Sequence, residues 1–324
     1  MSKLIRRLIG GLAPAALTAL PVLASMGPAQ AEVLATASHV PGLELRLRHT
    51  AAQGSARALP VLFIHGASFP SGLAFDFRMN GRSWMDALAA RGHDVYALDF
   101  LGYGLSDRYP PAQQPRGRAS DAVQDVERAV DLLLARTGAR QVALVAHSWG
   151  GSVGALYAGL HPEKVGKLVL FAAITERRET GPRAALAPYD ELTPAQRIAG
   201  MDGLRPADEA SLLHPEVHAR WGAEWLASSH SAVAVRFPSG PSADADALRH
   251  GEAYYDPSRI RAATLLVRGE WDAWPNAADF RHLQSRMTSA ASVEYVLIPR
   301  GTHVMHLESA HGALWQTVQR FLER

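Results

Sequence analysis

The segment Ala146-His147-Ser148-Trp149-Gly150-Gly151 follows an apolar run, Gln141–Ala146, and opens a stretch, Trp149–Leu160, that suits a helix. A serine at such a sharp strand-to-helix turn is held out at the strand tip, where its hydroxyl can attack an electrophile. The first N–H groups of the following helix have no intrahelical acceptor, so the Trp149 amide can point at a developing oxyanion. Small residues on both sides let the backbones approach closely. Gly150 and Gly151 meet that need on one side, and Ala146 stands where such turns more often carry glycine.

A hydroxyl is a poor nucleophile until a base takes its proton, and the base works best when a carboxylate fixes its tautomer. Two later segments offer both groups after apolar runs. Arg268-Gly269-Glu270-Trp271-Asp272 supplies the carboxylates Glu270 and Asp272. Gly301-Thr302-His303-Val304-Met305-His306-Leu307-Glu308 supplies the imidazoles His303 and His306. A further carboxylate, Glu176, follows the apolar run Lys167–Ala173.

The elements that must position these groups are legible in the hydrophobic pattern. Val33–His39 and Leu43–His49 read as an opening pair of strands, the second alternating Leu with Arg or Glu. Pro60–Ile64, Asp94–Leu98, Gln141–Ala146, Lys167–Ala173, Thr264–Val267 and Val293–Ile298 are compact apolar runs without a polar face, as in strands covered on both sides. Helices are expected over Arg82–Arg91, Asp121–Arg136 with Ser120 as N-cap, Trp149–Leu160 and His311–Leu322. This alternation predicts an α/β fold with a mostly parallel, doubly wound sheet of about eight strands. Residues 175–259 break the rhythm: they hold no clear sheet strand, and they are too long for a plain loop. They are expected to form an inserted, mostly helical cap on a core made of residues 32–174 and 260–324.

Taken together, the motifs resemble the α/β-hydrolase superfamily over nearly all of the chain after residue 31. His65-Gly66-Ala67-Ser68 is similar to the family's oxyanion loop, and Asp99-Phe100-Leu101-Gly102-Tyr103-Gly104-Leu105-Ser106 to its D-x-x-G-x-G-x-S signature. The resemblance implies Ser148 as nucleophile, Asp272 as acid at the G-x-x-D position and His303 as base in a G-x-H-x-x-x-x-E segment. It assigns the oxyanion hole to the backbone N–H groups of Ala67 and Trp149, and gives His65 a loop-stabilising part. Glu270 and His306 are the rivals for acid and base, with Glu176 a rarer alternative for the acid.

The superfamily also contains epoxide hydrolases and haloalkane dehalogenases, which place an aspartate where Ser148 stands. Their ester intermediate needs a carboxylate nucleophile, so serine points instead to acyl transfer to water. A small-molecule carboxylic ester is the expected substrate, its leaving group needing the least proton assistance. An aminopeptidase or amidase of the proline iminopeptidase type is the alternative. That type's H-G-G-P-G loop is replaced here by His65-Gly66-Ala67-Ser68-Phe69-Pro70. A non-catalytic binding module on the same fold is an alternative of another class, and it would be expected to lack one of the three groups. Trp221, Trp225, Phe237, Tyr254, Tyr255, Trp271 and Trp274 are candidates for the pocket wall or the core.

Composition narrows the remaining classes. The 324 residues contain no cysteine, which excludes disulfides and thiolate chemistry. Gly102-Tyr103-Gly104 lacks the dinucleotide fingerprint and no metal-ligand spacing occurs, so no cofactor is expected. At the N-terminus, Lys3, Arg6 and Arg7 precede a Leu- and Ala-rich stretch that ends in Ala29-Gln30-Ala31. This predicts a signal peptide over residues 1–31, cleaved after Ala31, and a secreted or periplasmic product without a membrane anchor. The pair Arg6-Arg7 leaves twin-arginine export as an alternative route. The full chain carries 33 Lys and Arg against 31 Asp and Glu; removing three cations leaves 30 against 31. That balance gives nucleic-acid binding no electrostatic support.

Overall fold

The computed structural model describes residues 31–57 and 59–324, so the expected signal, Ala31 apart, lies outside the described residues. The chain opens with strands β1 (Glu32–Ala37) and β2 (Glu44–Thr50), followed by β3 (Val61–Ile64), two short helices α1 (Ser71–Ala74) and α2 (Trp84–Ala89), and β4 (Val95–Asp99). Helix α3 (Ala119–Thr137), β5 (Val142–His147), α4 (Ser148–Leu160) and β6 (Val165–Phe171) complete the first part of the core. After the insert, β9 (Ala263–Gly269), α8 (Ala277–Arg286), β10 (Val293–Ile298) and α9 (His311–Glu323) finish it.

Eight of these strands form one sheet in the order β1-β2-β4-β3-β5-β6-β9-β10. Strand β2 runs antiparallel to both β1 and β4, and every other pairing is parallel. The six compact apolar runs and the opening strand pair of the sequence are these eight strands. Every residue of β3, β4 and β5 is buried, because helices cover both faces of the sheet's centre. Strand β2 lies near one edge and keeps its alternation, with Leu45 and Leu47 inside and Arg46 and Arg48 half-buried.

Helix α3 buries Val123, Val126, Val130 and Leu133 on one face, as their spacing requires. Its start differs from the sequence reading. Ser120 lies inside the helix, and Arg118 occupies the N-cap position without a side-chain cap bond. The Ala119 N–H donates at 2.6 Å to the Asp244 carboxylate, 125 residues further along the chain. A tertiary carboxylate replaces the local cap, and no local window of sequence can show that.

Between β6 and β9 the chain forms β7 (Tyr189–Leu192), α5 (Pro194–Asp202), α6 (Gly222–Ser228), β8 (Val235–Pro238) and α7 (Gly240–Arg249). Helix α5 starts as its sequence dictates, with Pro194 in the first turn and a reciprocal Thr193–Gln196 capping box. The pair β7–β8 is an antiparallel ribbon separate from the main sheet, in a region where the sequence shows no clear sheet strand. Each strand has four residues, and the partners lie more than forty residues apart, so no hairpin signal marks them. Trp221 and Trp225 are fully buried, and the Trp221 indole N–H donates to the Leu73 carbonyl at 3.2 Å. These two tryptophans therefore belong to the core. Among the described residues, no helix is long and apolar enough to cross a membrane.

Candidate active site

The strand ends define the site. Strand β5 ends at His147 and α4 begins at Ser148, so the turn occupies no residue of its own. Ser148 takes φ 55°, a left-handed conformation that costs a non-glycine residue on the order of 1–3 kcal/mol and persists only where its surroundings impose it. The surroundings are tight. A Cβ on Gly150 would lie 2.1 Å from the His65 carbonyl oxygen, and one on Gly66 would lie 2.9 Å from the Ser148 Cβ. Ala146, in register with Ile64 of β3 and fully buried, is accommodated without a glycine.

The three residues singled out for chemistry meet in space. His303 Nε2 lies 2.8 Å from Ser148 Oγ. Its Nδ1 lies 3.1 and 3.2 Å from the two Asp272 carboxylate oxygens. With a carboxylate facing Nδ1, the proton rests there and Nε2 is free to accept from the serine hydroxyl. Asp272 is 5% exposed, and one of its oxygens also accepts the Trp274 N–H at 3.0 Å. The loops that carry Asp272 and His303 are tied together where the Trp271 N–H donates to the Gly301 carbonyl at 2.9 Å.

The rival groups sit elsewhere. Glu270 accepts the Arg300 N–H at 2.9 Å at the surface, and the Glu176 carboxylate faces Arg178. His306 is 1% exposed, neither ring nitrogen finds a partner among the described residues, and burial pushes its pKa down to about 3. An imidazole so depressed stays neutral and has no contact with Ser148.

Around the site, the family-like motifs do structural work. His65 donates from Nδ1 to the Gly66 carbonyl at 2.7 Å and accepts the Phe100 N–H on Nε2 at 3.2 Å. Asp99 accepts the N–H groups of Ser71 and Leu105 at 2.8 and 2.9 Å, bracing the loop after β4. Glu308 is 2% exposed and accepts from the Thr302 N–H and hydroxyl, immediately before His303. Burial raises the Glu308 pKa to about 7. His147 directly precedes Ser148. Its Nε2 lies 3.0 Å from the His303 carbonyl, and burial holds its pKa well below the ordinary value.

Ser148, Asp272 and His303 open onto a cavity of about 370 Å³, whose wall also contains Ala67 and Trp149. Ile174, Leu204, Ala245, Trp271 and Trp274 give it an apolar lining, and Arg249 adds a cation. Arg177 and Arg249 lie over the Trp274 ring at 5.1 and 4.8 Å. Of the candidate aromatics, Trp271 and Trp274 face the cavity, while Phe237 packs near Trp225 and Tyr103. The Tyr254 hydroxyl contacts Ser152 on α4.

Compared with known proteins, residues 60–255 match the family described as alpha/beta hydrolase fold. The chain belongs to the α/β-hydrolase family. This α/β hydrolase is 29% identical over 224 residues to a 2-hydroxymuconate semialdehyde hydrolase from Pseudomonas sp., covering 67% of this chain and 72% of that protein. It is 36% identical over 88 residues to epoxide hydrolase B of Mycobacterium tuberculosis, 27% of this chain but only 23% of that relative's length. Among solved structures, an esterase from Exiguobacterium antarcticum superposes with a TM-score of 0.62 at 18% identity, covering 88% of this chain and 97% of that one. At that identity the likeness concerns the fold.

Proposed function

We propose that this α/β hydrolase is an exported serine hydrolase that cleaves carboxylic esters through an acyl-enzyme on Ser148. The observation that carries the reading is the 2.8 Å contact between His303 Nε2 and Ser148 Oγ, with Asp272 behind Nδ1. In this reading Ser148 Oγ attacks the ester carbonyl as Nε2 takes its proton. The tetrahedral oxyanion faces the N–H groups of Ala67 and Trp149, donors that are typically worth about 10²–10³ in kcat each. The imidazolium returns the proton to the departing alkoxide. Water then enters, gives a proton to Nε2, and attacks the acyl-enzyme to release the acid and restore the serine.

The nucleophile argues against transferring the epoxide hydrolase activity of a relative. A serine that opened an epoxide would form an ether, which has no carbonyl for water to attack. A second reading has one observation behind it: the match to a 2-hydroxymuconate semialdehyde hydrolase over two thirds of this chain. That compound belongs beside esters in any substrate test.

The test is a hydrolysis panel on residues 32–324. It pairs p-nitrophenyl esters of increasing acyl length with aminoacyl anilides and 2-hydroxymuconate semialdehyde, using Ser148→Ala as the blank. Turnover of esters above the blank supports the reading, and turnover of anilides alone overturns it. Export is supported by the basic start, the apolar stretch and Ala29-Gln30-Ala31. A cut after Ala31 leaves β1, which begins at Glu32, whole. Sequencing the N-terminus of the protein recovered outside the cytoplasm checks it, with Glu32 expected first.

A further inference from the structure

The insert reaches the nucleophile turn through one carboxylate. Asp244 lies on α7 and is 2% exposed. One of its oxygens accepts the Trp149 indole N–H at 2.9 Å and the Ala119 N–H at 2.6 Å. The other faces the Arg118 guanidinium. This single carboxylate therefore joins three elements: α7 of the insert, the first turn of α3, and the residue after the nucleophile. Nearby, a Cβ on Gly240 would meet the Arg116 carbonyl at 2.2 Å, so α7 is seated closely on the loop before α3.

Trp149 is an unusual place for such an anchor. Its backbone N–H is the oxyanion donor of the proposed reaction, and its peptide plane adjoins Ser148, whose φ of 55° is already strained. The indole packs edge-on against Phe100 at 5.3 Å, which fixes its position but leaves its N–H to be satisfied by Asp244 alone. An oxyanion donor stabilises a transition state only if it is aimed in advance at where the charge develops. A hydrogen bond of the indole to a buried carboxylate is charge-assisted and directional, so it restrains the side chain and, through Cα, the peptide plane.

We propose that Asp244 is a positioning residue for the oxyanion hole: from the insert, it holds the Trp149 side chain so that the Trp149 amide faces the carbonyl attacked by Ser148. The proposal rests on the serine-hydrolase reading above. Its competitor is a structural role, in which Asp244 pairs with Arg118 and caps α3 with no effect on chemistry. Burial pushes the Asp244 pKa upward against the opposing effects of Arg118 and Trp149, as expected for a carboxylate kept for its contacts.

The test compares Asp244→Leu, which has no acceptor for the indole, Trp149→Phe, the double variant and Arg118→Met in residues 32–324. Kinetics on a p-nitrophenyl ester are read together with Tm and the rate of labelling by a fluorophosphonate. Trp149→Phe keeps the backbone amide and removes the indole N–H together with part of the ring, and it remains informative even if Asp244→Leu folds poorly. The expected result is a kcat about 10–100-fold lower in each single variant, with KM changed less than about threefold, part of the effect of losing one oxyanion donor. The double variant should be no slower than the slower single variant, since both remove the same bond. Arg118→Met should lower Tm and leave kcat within about threefold. Losses confined to Tm, or kcat losses that multiply in the double variant, overturn the proposal. A wild type that neither takes up the phosphonate nor turns over ester overturns the serine-hydrolase reading and this proposal with it. A reactive wild type with unaffected Asp244→Leu and Trp149→Phe overturns this proposal alone.

Discussion

The His147 Nε2–H donates to the main-chain carbonyl of His303 at 3.0 Å, so the residue before Ser148 holds the backbone of the residue that faces Ser148. The two residues lie 156 positions apart, at the ends of β5 and after β10. Burial and the neighbouring imidazoles keep His147 neutral, which leaves one ring proton for this bond. Removing it leaves a part-buried carbonyl without its donor, at about 1–3 kcal/mol. His147→Leu should lower stability by that amount and kcat by roughly tenfold, whereas His147→Gln, which still carries a donor, should recover part of both. Thermal unfolding and ester kinetics on the same samples check this.

His303 and His306 are three residues apart and should behave oppositely. His303→Ala should lower kcat by about 10⁴–10⁶-fold, the scale of triad knockouts. His306→Leu should stay within about threefold of wild type. It should also change the pH dependence of stability. His306 is held near pKa 3 in the fold, against 6.5 for an ordinary imidazole. The unfolded chain therefore gains a proton that the fold refuses, and stability is lost as pH falls below 6.5. At pH 5 this amounts to about 2 kcal/mol. The Tm gain of His306→Leu over wild type should therefore be larger at pH 5 than at pH 7.5.

Glu308 gives the opposite sign. Its carboxyl is raised from 4.5 to about 7 by burial, so the fold binds a proton that the unfolded chain releases. The contribution is complete below pH 4.5 and is lost as pH rises through 7, about 3.4 kcal/mol in all. Glu308→Gln keeps an acceptor for Thr302 and cannot ionise. Its Tm advantage over wild type should grow between pH 5 and pH 8, measured by thermal unfolding at constant ionic strength.

Asp272 and Glu270 are separated by one residue, yet only the Asp272 carboxylate faces His303. Asp272→Asn removes the group that fixes the imidazole tautomer and should lower kcat by about 10⁴. Glu270→Gln should remain within about threefold. Equal losses in the two variants, measured on one ester, would contradict the assignment of the acid.

Much of this arrangement was legible before any coordinates. Six of the eight sheet strands were visible because a parallel sheet covered on both faces leaves unbroken apolar runs, as in Val61–Ile64 and Val142–His147, and β2 because it alternates. Ser148, Asp272 and His303 each sit at the end of such a run, where strand ends converge on one edge of the sheet, but it was the resemblance that implied Asp272 over Glu270 and His303 over His306. Three features were hidden, each for a physical reason. The Asp244 cap of α3 is a tertiary contact, so Ser120 looked like the local cap it is not. The ribbon β7–β8 joins two four-residue strands with no turn signal between them. His147 resembles any polar residue until β10 brings the His303 carbonyl over it.

The central claim is that Ser148 is the nucleophile of an acyl-transfer reaction, and peptide mapping after fluorophosphonate labelling tests it most directly. The account predicts one phosphonyl adduct, on Ser148, forming in step with loss of ester hydrolysis and absent from Ser148→Ala and His303→Ala. A Ser148→Ala protein that keeps its ester turnover, or an inactivating adduct mapped to another residue, would contradict it.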